Sequence, residues 1–441
     1  MMKKFWKGFM TTAAALALTF GAAACRSGND DTDQGEVDTD GNTIVSIMFH
    51  VDSKSAEGRA YQKRVDAFNA AYKDKKVKAS ARFIARTTGA TDYETQLGNM
   101  LNEGTLPDII TFDAPNCASY ANAGLLYDIT SVIDVETKND FLSLNEYQGK
   151  LYGLPIQESS AGFYYNKALF SKAGINVDNY TVDNPWTFDQ FKEVCKKLKD
   201  SGVSTPVNMR LNSTTDETAT YLLYPFVYAA GGEFLSDDGL TATGYFNSAA
   251  TQSGFQFIKD LIVSGYTSYS ATDEEFFTGK SGMYLSAGWT IPDIDNKYTD
   301  AFPSRDSWGL LPYPKGTAAA SATGSWSFAI TDNHHTDKTY SKELLLWLTS
   351  TESSAEITNA TGMIPARKSV GKNYAAGSPE YVLRQQLEKT GKARPATVGY
   401  PQFSSAFRNV IYELKDNDVA SVLNNKTAAL QLELDKLKKL G

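Results

Sequence analysis

Apolar and polar positions along this chain follow two rhythms that change places at short intervals. Residues 43–51 (TIVSIMFHV) form an almost unbroken apolar run, which predicts a buried strand. Over residues 56–72 the apolar side chains Ala60, Tyr61, Val65, Phe68 and Tyr72 recur every three or four positions, the spacing of an amphipathic helix. Residues 77–84 alternate as a second strand, residues 93–101 predict a helix ending near Gly104, and residues 106–112 predict a third strand. This βαβαβ order predicts a mostly parallel sheet with helices on its faces. Ligands of such sheets lie beyond the carboxyl ends of the strands, here residues 49–52 and 112–116.

The alternation continues to the end of the chain. Two short apolar strands, 152–156 and 161–165, flank a polar segment at 157–160, and a helix over 167–173 stops at Gly174. Residues 187–199 carry Phe188, Phe191, Val194, Cys195 and Leu198 on one helical face, with Thr187 as cap. An aromatic stretch at 221–230 closes on Gly231 and Gly232, and a helix is predicted over 254–264. Strands follow at 281–286 and 325–331, helices at 341–349 and near Ser353, and the tail to Gly441 reads as helical. Polar, Pro-rich or Gly-rich pieces at 157–160, 312–316 and 362–367 punctuate the alternation.

The first residues do not fit this rhythm. Lys3, Lys4 and Lys7 precede an apolar run from Phe9 to Phe20, and small residues lead to Cys25. That is the layout of a secretory signal, and the run is shorter than the roughly 20 residues of a membrane span. A cysteine at the cleavage position resembles a bacterial lipoprotein signal, with Ala22 standing where such signals usually carry Leu. Residues 1–24 are therefore expected to be removed and Cys25 lipidated, tethering the protein to the outer side of a membrane. Residues 25–42, rich in Asp, Gly, Thr and Ser, are expected to be a disordered tether.

The remaining roughly 400 residues suit two or three domains. Loss of the leader's three lysines takes the formal charge from −8 to about −11. An acidic surface argues against nucleic-acid binding, which needs a basic stripe. Aromatic residues make up 12% of the chain, with 24 Tyr and 6 Trp, enough to build a cleft of flat amphipathic faces as well as a core. Cys117 and Cys195 are expected to be buried free thiols in different bodies. The chain shows no GxSxG elbow, phosphate loop or GxGxxG, and its three histidines have no metal-site spacing. The expectation is a binding protein without cofactor or metal, not an enzyme.

Several segments then resemble one family in register. Leu106-Pro107-Asp108-Ile109-Ile110 after Gly104-Thr105 is similar to the xGxxPDI segment of the extracellular solute-binding proteins of ABC importers, in the branch of the maltodextrin and multiple-sugar binders. Ala123-Gly124-Leu125-Leu126 is similar to its short "aGLL" turn. Gly149-Lys150-Leu151-Tyr152-Gly153-Leu154-Pro155 resembles "GKlYGlP", and Tyr165-Asn166-Lys167 with Phe170 and Gly174 resembles "YNKxLFxxaG". The segments at 185–188, 277–283 with Trp289, and 362–365 follow, the first with Trp-Thr in place of Thr-Trp.

The resemblance implies a periplasmic-binding-protein-like α/β fold with two lobes, a ligand cleft between them and about three hinge crossings, expected at the punctuating segments 157–160, 312–316 and 362–367. Lobe 1 is expected over 43–157 plus 313–364 and lobe 2 over 158–312 plus 365–441. It implies a monomer that captures a carbohydrate, an oligosaccharide in the first instance, and hands it to the permease subunits of an importer. Trp289 is the expected stacking platform, with Trp326 and Tyr221 as further aromatic contacts. Asp113, Asn116, Glu158, Ser159, Asp52, Arg210 and Arg367 are the expected polar contacts. A binder of a peptide or polyamine, a ligand sensor for signalling and a lipid-anchored glycosidase are the alternatives.

Overall fold

A computed structural model describes residues 36–86, 92–213, 216–371 and 373–439. The leader, Cys25 and the first part of the expected tether lie outside these residues. The strands, in chain order, are β1 (Thr43–Phe49), β2 (Val77–Phe83), β3 (Ile109–Asp113), β4 (Asn145–Tyr147), β5 (Lys150–Ser159), β6 (Ala161–Asn166), β7 (Thr205–Asn208), β8 (Ser281–Ala287), β9 (Trp308–Leu311), β10 (Ser321–Ala322), β11 (Gly324–Ile330), β12 (Ile364–Pro365) and β13 (Gly391–Lys392).

Two sheets organise the molecule. The first runs β12-β5-β11-β3-β1-β2, with β4 on β5, and the second runs β7-β8-β6-β9. β1 pairs in parallel with β2 and β3, as the βαβαβ reading predicts, but β11 is antiparallel to both β3 and β5. The second sheet is mixed as well, with β6 antiparallel to β8 and β9. Each sheet has its own core. Ile47, Phe49, Tyr61, Phe68, Leu154 and Phe328 pack the first. Phe163, Phe191, Leu198, Phe226, Phe257 and Phe407 pack the second. At about 1.5–3 kcal/mol for each large apolar side chain buried, each body holds a core of domain size.

Local chemistry sets the elements that matter below. Ser55 caps the helix Ala56–Ala71, its hydroxyl accepting from the Gly58 amide at 2.9 Å. A Cβ on Gly58 would lie 2.2 Å from the Asp52 carbonyl oxygen, so glycine lets the turn after β1 close against the helix. Asp108 of the "PDI" segment is a structural acid. Burial would raise its carboxyl pKa, but hydrogen bonds from Asn333, His335 and Ser46 hold it below the usual range. It ties together β1, β3 and the chain after β11.

The crossings depart from expectation in three ways. β5 continues through Gln157, Glu158 and Ser159 as paired strand, so residues 157–160 are not a loop, and the chain passes to β6 at Ser160. Residues 313–322 stay with the second body: Tyr313 donates to the Leu222 carbonyl, Ala318 to that of Ala229, and β10 pairs with β13. The second crossing is therefore at Thr323–Gly324. Arg367 and Ser369 bind Asp140 of the first body, which moves the third crossing beyond Val370. Residues 36–42, expected in the tether, form a turn in which Asp38 accepts from the Asn42 amide at 2.9 Å and Glu36 accepts from Ile44 at 2.7 Å.

Candidate ligand cleft

The carboxyl ends of β1 and β3 and the start of β11 meet where the two bodies face each other. Trp326 on β11 stands directly opposite Asp113 on β3 and Gln157 on β5. Direct partners in a ladder point to the same face, so these three side chains form a row across the sheet. His50, just beyond β1, stacks on Trp326 with ring centroids 3.4 Å apart, and the Arg86 guanidinium lies 5.0 Å from the same ring's centroid. Burial, helped by the nearby charge of Arg86, holds His50 well below its ordinary pKa, so its imidazole is neutral. Its 3.8 Å approach to Glu57 is thus a polar contact and not an ion pair. Gln157 donates to Glu57 at 3.2 Å and accepts from Thr361 at 3.2 Å. Burial pushes the Glu57 carboxyl up.

The second body supplies the facing wall. The helix Glu217–Ala229 is capped by Asp216, and Glu217 and Tyr221 stand one turn apart at its start, on one side. Arg394 reaches across with both prongs, its two Nη groups donating to the two Asp113 oxygens at 2.7 and 2.8 Å. Its Nη1 also donates to Glu217 at 2.7 Å, and its guanidinium lies 5.3 Å from the Tyr221 ring centroid. The Tyr221 hydroxyl shares a 2.7 Å hydrogen bond with Ser159, which donates in turn to the Gly324 carbonyl at 2.8 Å. Beyond Tyr221, at 5.8 Å between ring centroids, lies Trp289. It sits in the turn that ends β8, held by a 2.7 Å bond between the Ser286 and Thr290 hydroxyls, and is 39% exposed.

The structure thus brings together Trp289, Tyr221, Ser159, Asp113 and Trp326 of the expected set. Asn116 lies half-buried in the single turn Ala114–Asn116 that follows β3. Glu158 points elsewhere. Because β5 is unbroken, its side chain faces away from those of Gln157 and Ser159 and takes a hydrogen bond from Ser143. Burial raises its pKa to about 7. Asp52 is exposed and accepts from the Lys54 amide at 2.7 Å. Arg210 pairs with Asp273 at 3.3 Å, and Arg367 binds Asp140 and the Thr349 carbonyl, so both arginines expected as ligand contacts are engaged by the protein itself.

Sequence reasoning missed His50 as a stacking partner, Arg86, Glu57, Gln157, Glu217 and Arg394. His50 had a signal, since it follows the first strand at the end where ligands lie. Arg394 had a weaker one in the following Pro395, which holds the residue before it extended.

The model of the bacterial extracellular solute-binding proteins matches residues 63–382. The chain belongs to this family. Its members bind solutes outside the cytoplasm. A binding protein of Brucella abortus is 26% identical over 326 residues, 71% of this chain and 76% of that one. An sn-glycerol-3-phosphate-binding periplasmic protein of Rhizobium meliloti is 28% identical over 236 residues, 49% of this chain and 50% of the relative. Among solved structures, the cyclic alpha-maltosyl-1,6-maltose binding protein of Arthrobacter globiformis superposes with a TM-score of 0.74 at 24% identity, covering 90% of this chain and 100% of that one. A Mycobacterium tuberculosis protein in complex with glycerophosphocholine gives 0.73 at 20% identity, again over 90% and 100%. These likenesses agree on the fold: two α/β lobes, here built on the first and second sheets of this solute-binding protein. Cys117 and Cys195 are free and buried, one in each lobe.

Proposed function

We propose that this solute-binding protein captures a neutral carbohydrate by lobe closure and delivers it to the permease of an ABC importer. The observation that carries the reading is Trp289, a large aromatic left 39% exposed beside Tyr221 and the Asp113 cluster. A flat indole beside carboxylates and hydroxyls suits a sugar ring, whose apolar face stacks and whose rim offers hydroxyls. The relatives' names, which include a multiple sugar-binding protein of Streptococcus mutans and a lactose-binding protein of Rhizobium radiobacter, support the same class. An anionic ligand fits less well, because Arg394 is already engaged by two carboxylates.

In this reading lobe 1 comprises residues 36–159 with 324–370, and lobe 2 residues 160–323 with 379–439. Contacts made to both lobes favour the closed form by their differential free energy, with no chemical step. The leader, lipidation of Cys25, a monomeric state and docking of the closed form on permease subunits complete the proposal. The test is a thermal-shift screen of residues 26–441 against mono- and oligosaccharides, with glycerol phosphates, amino acids, peptides and polyamines as controls. A shift confined to carbohydrates and lost in Trp289→Ala supports the reading. A response only to an anion, peptide or polyamine refutes it.

A further inference from the structure

Asp113 and Arg394 belong to different lobes, yet they make the most completely buried ion pair in the cleft, with side chains 5% and 3% exposed. The contact is two-pronged, and Arg394 is backed by Glu217, by the Tyr400 hydroxyl at 3.2 Å and by the rings of Tyr221 and Tyr400. Glu217 is itself fixed from behind by Ser404 at 2.5 Å and by Tyr400. All of these supports come from lobe 2, so Arg394 is held on its own lobe and offers a fork to the other. From this geometry we infer that Arg394 is a positioning residue that clasps Asp113 across the cleft. It thereby stabilises a closed form before any ligand binds, and it fixes the Asp113 carboxylate for the ligand.

The reasoning is one of linkage. A carboxylate oxygen accepts two hydrogen bonds, so Asp113 retains accepting capacity after both prongs are made. Lobe separation would withdraw the fork from a carboxylate that lies 5% exposed, exchanging a buried, charge-assisted contact for hydration. Apparent affinity scales with the fraction of protein already competent to bind. A clasp whose loss lowers the ligand-free closed fraction tenfold therefore raises Kd about tenfold. The inference rests on the two-lobe capture reading, but its primary readout needs no ligand.

The test is pulsed-EPR distance measurement on the purified protein. Spin labels go at Glu136→Cys on lobe 1 and Glu193→Cys on lobe 2, both exposed, while Cys117 and Cys195 are buried. The ligand-free protein is expected to show a short-distance population that Arg394→Gln reduces about tenfold. Arg394→Lys, which keeps the charge and loses the fork, is expected not to restore it. A saturating carbohydrate should restore closure in both variants with Kd weaker by about tenfold. Identical ligand-free distances in parent and Arg394→Gln would overturn the inference and make the pair a fixed part of the hinge. If Arg394→Gln does not fold, the ligand-free distances of the isosteric Asp113→Asn decide in the same way. A clasp that fails while carbohydrate still closes the lobes leaves the capture reading intact. Absence of closure with every carbohydrate refutes that reading instead.

Discussion

Trp326 lies flat against His50, with ring centroids 3.4 Å apart and planes 4° from parallel. One face of Trp326 is thereby taken by the protein itself, and Arg86 lies over the ring as well. Trp289, tilted 43° to Tyr221 at 5.8 Å, is left 39% exposed, with no comparable cover among the described residues. The two tryptophans, both expected from the sequence as ligand contacts, are expected to separate by experiment. Trp326→Ala should destabilise the fold by about 2–4 kcal/mol, below or near the range for a core aromatic, because the ring is only part-buried. Trp289→Ala should leave urea stability within about 0.5 kcal/mol while reducing carbohydrate affinity at least about tenfold, as a truncated aromatic anchor does. Urea denaturation and calorimetric titration of both variants check this pair of outcomes.

Glu158 makes stability depend on pH in an identifiable window. Its folded pKa of about 7 stands above its ordinary value because burial disfavours the charge. The folded state therefore holds a proton that the unfolded state releases, so stability falls as pH rises from about 4.5 through 7. Glu158→Gln removes this titration and retains an acceptor for Ser143. The difference in melting temperature between parent and variant is expected to grow in the variant's favour from pH 5 to pH 7.5. A constant difference would contradict the assignment.

Gly324 sits where the chain re-enters lobe 1, against two residues of the facing wall. A Cβ there would lie 2.9 Å from the Tyr221 ring and 3.2 Å from Arg394 Nη2. Neither neighbour can yield freely, since Tyr221 is held by Ser159 and Arg394 by Asp113. Gly324→Ala is expected to cost about 1–3 kcal/mol, the usual range for overpacking, and to weaken carbohydrate binding as well. Gly149→Ala, whose Cβ meets nothing within 4 Å but whose φ is +74°, serves as a control that strains the backbone without touching the cleft.

The two described thiols are expected to be inert in the native protein. Burial, with Glu146 nearby, raises the Cys117 pKa to about 12, and burial raises that of Cys195 well above the ordinary thiol value. Thiolate is the reactive form, so neither should react with an aromatic disulfide reagent at pH 8 until the protein unfolds. Rapid native labelling of either would refute the packing around it.

The sequence by itself determined the local grammar of this protein. Amphipathic spacing placed the helix Ala56–Ala71, and the cap at Thr187 placed the start of Phe188–Asp200, where the structure adds Gln190 as its reciprocal partner. The order of strands put the ends of β1 and β3, with His50 and Asp113, where a ligand belongs. These signals are legible because periodicity and capping act between residues a few positions apart.

Tertiary structure decided which of the candidate side chains meet. A polar run at 157–160 looks like a loop, but pairing with β11 and β12 keeps it in strand, and strand parity then sends Gln157 and Ser159 one way and Glu158 the other. The faces of Trp326 were open on paper and are covered by a histidine from β1's end and an arginine beyond β2. Arg394, 281 positions after Asp113, became its partner only because the tail returns to lobe 2 beside the cleft. Ion pairs and ring stacking depend on distance in space and leave no periodic trace along the chain, which is why the fold could be read from the sequence and the clasp could not.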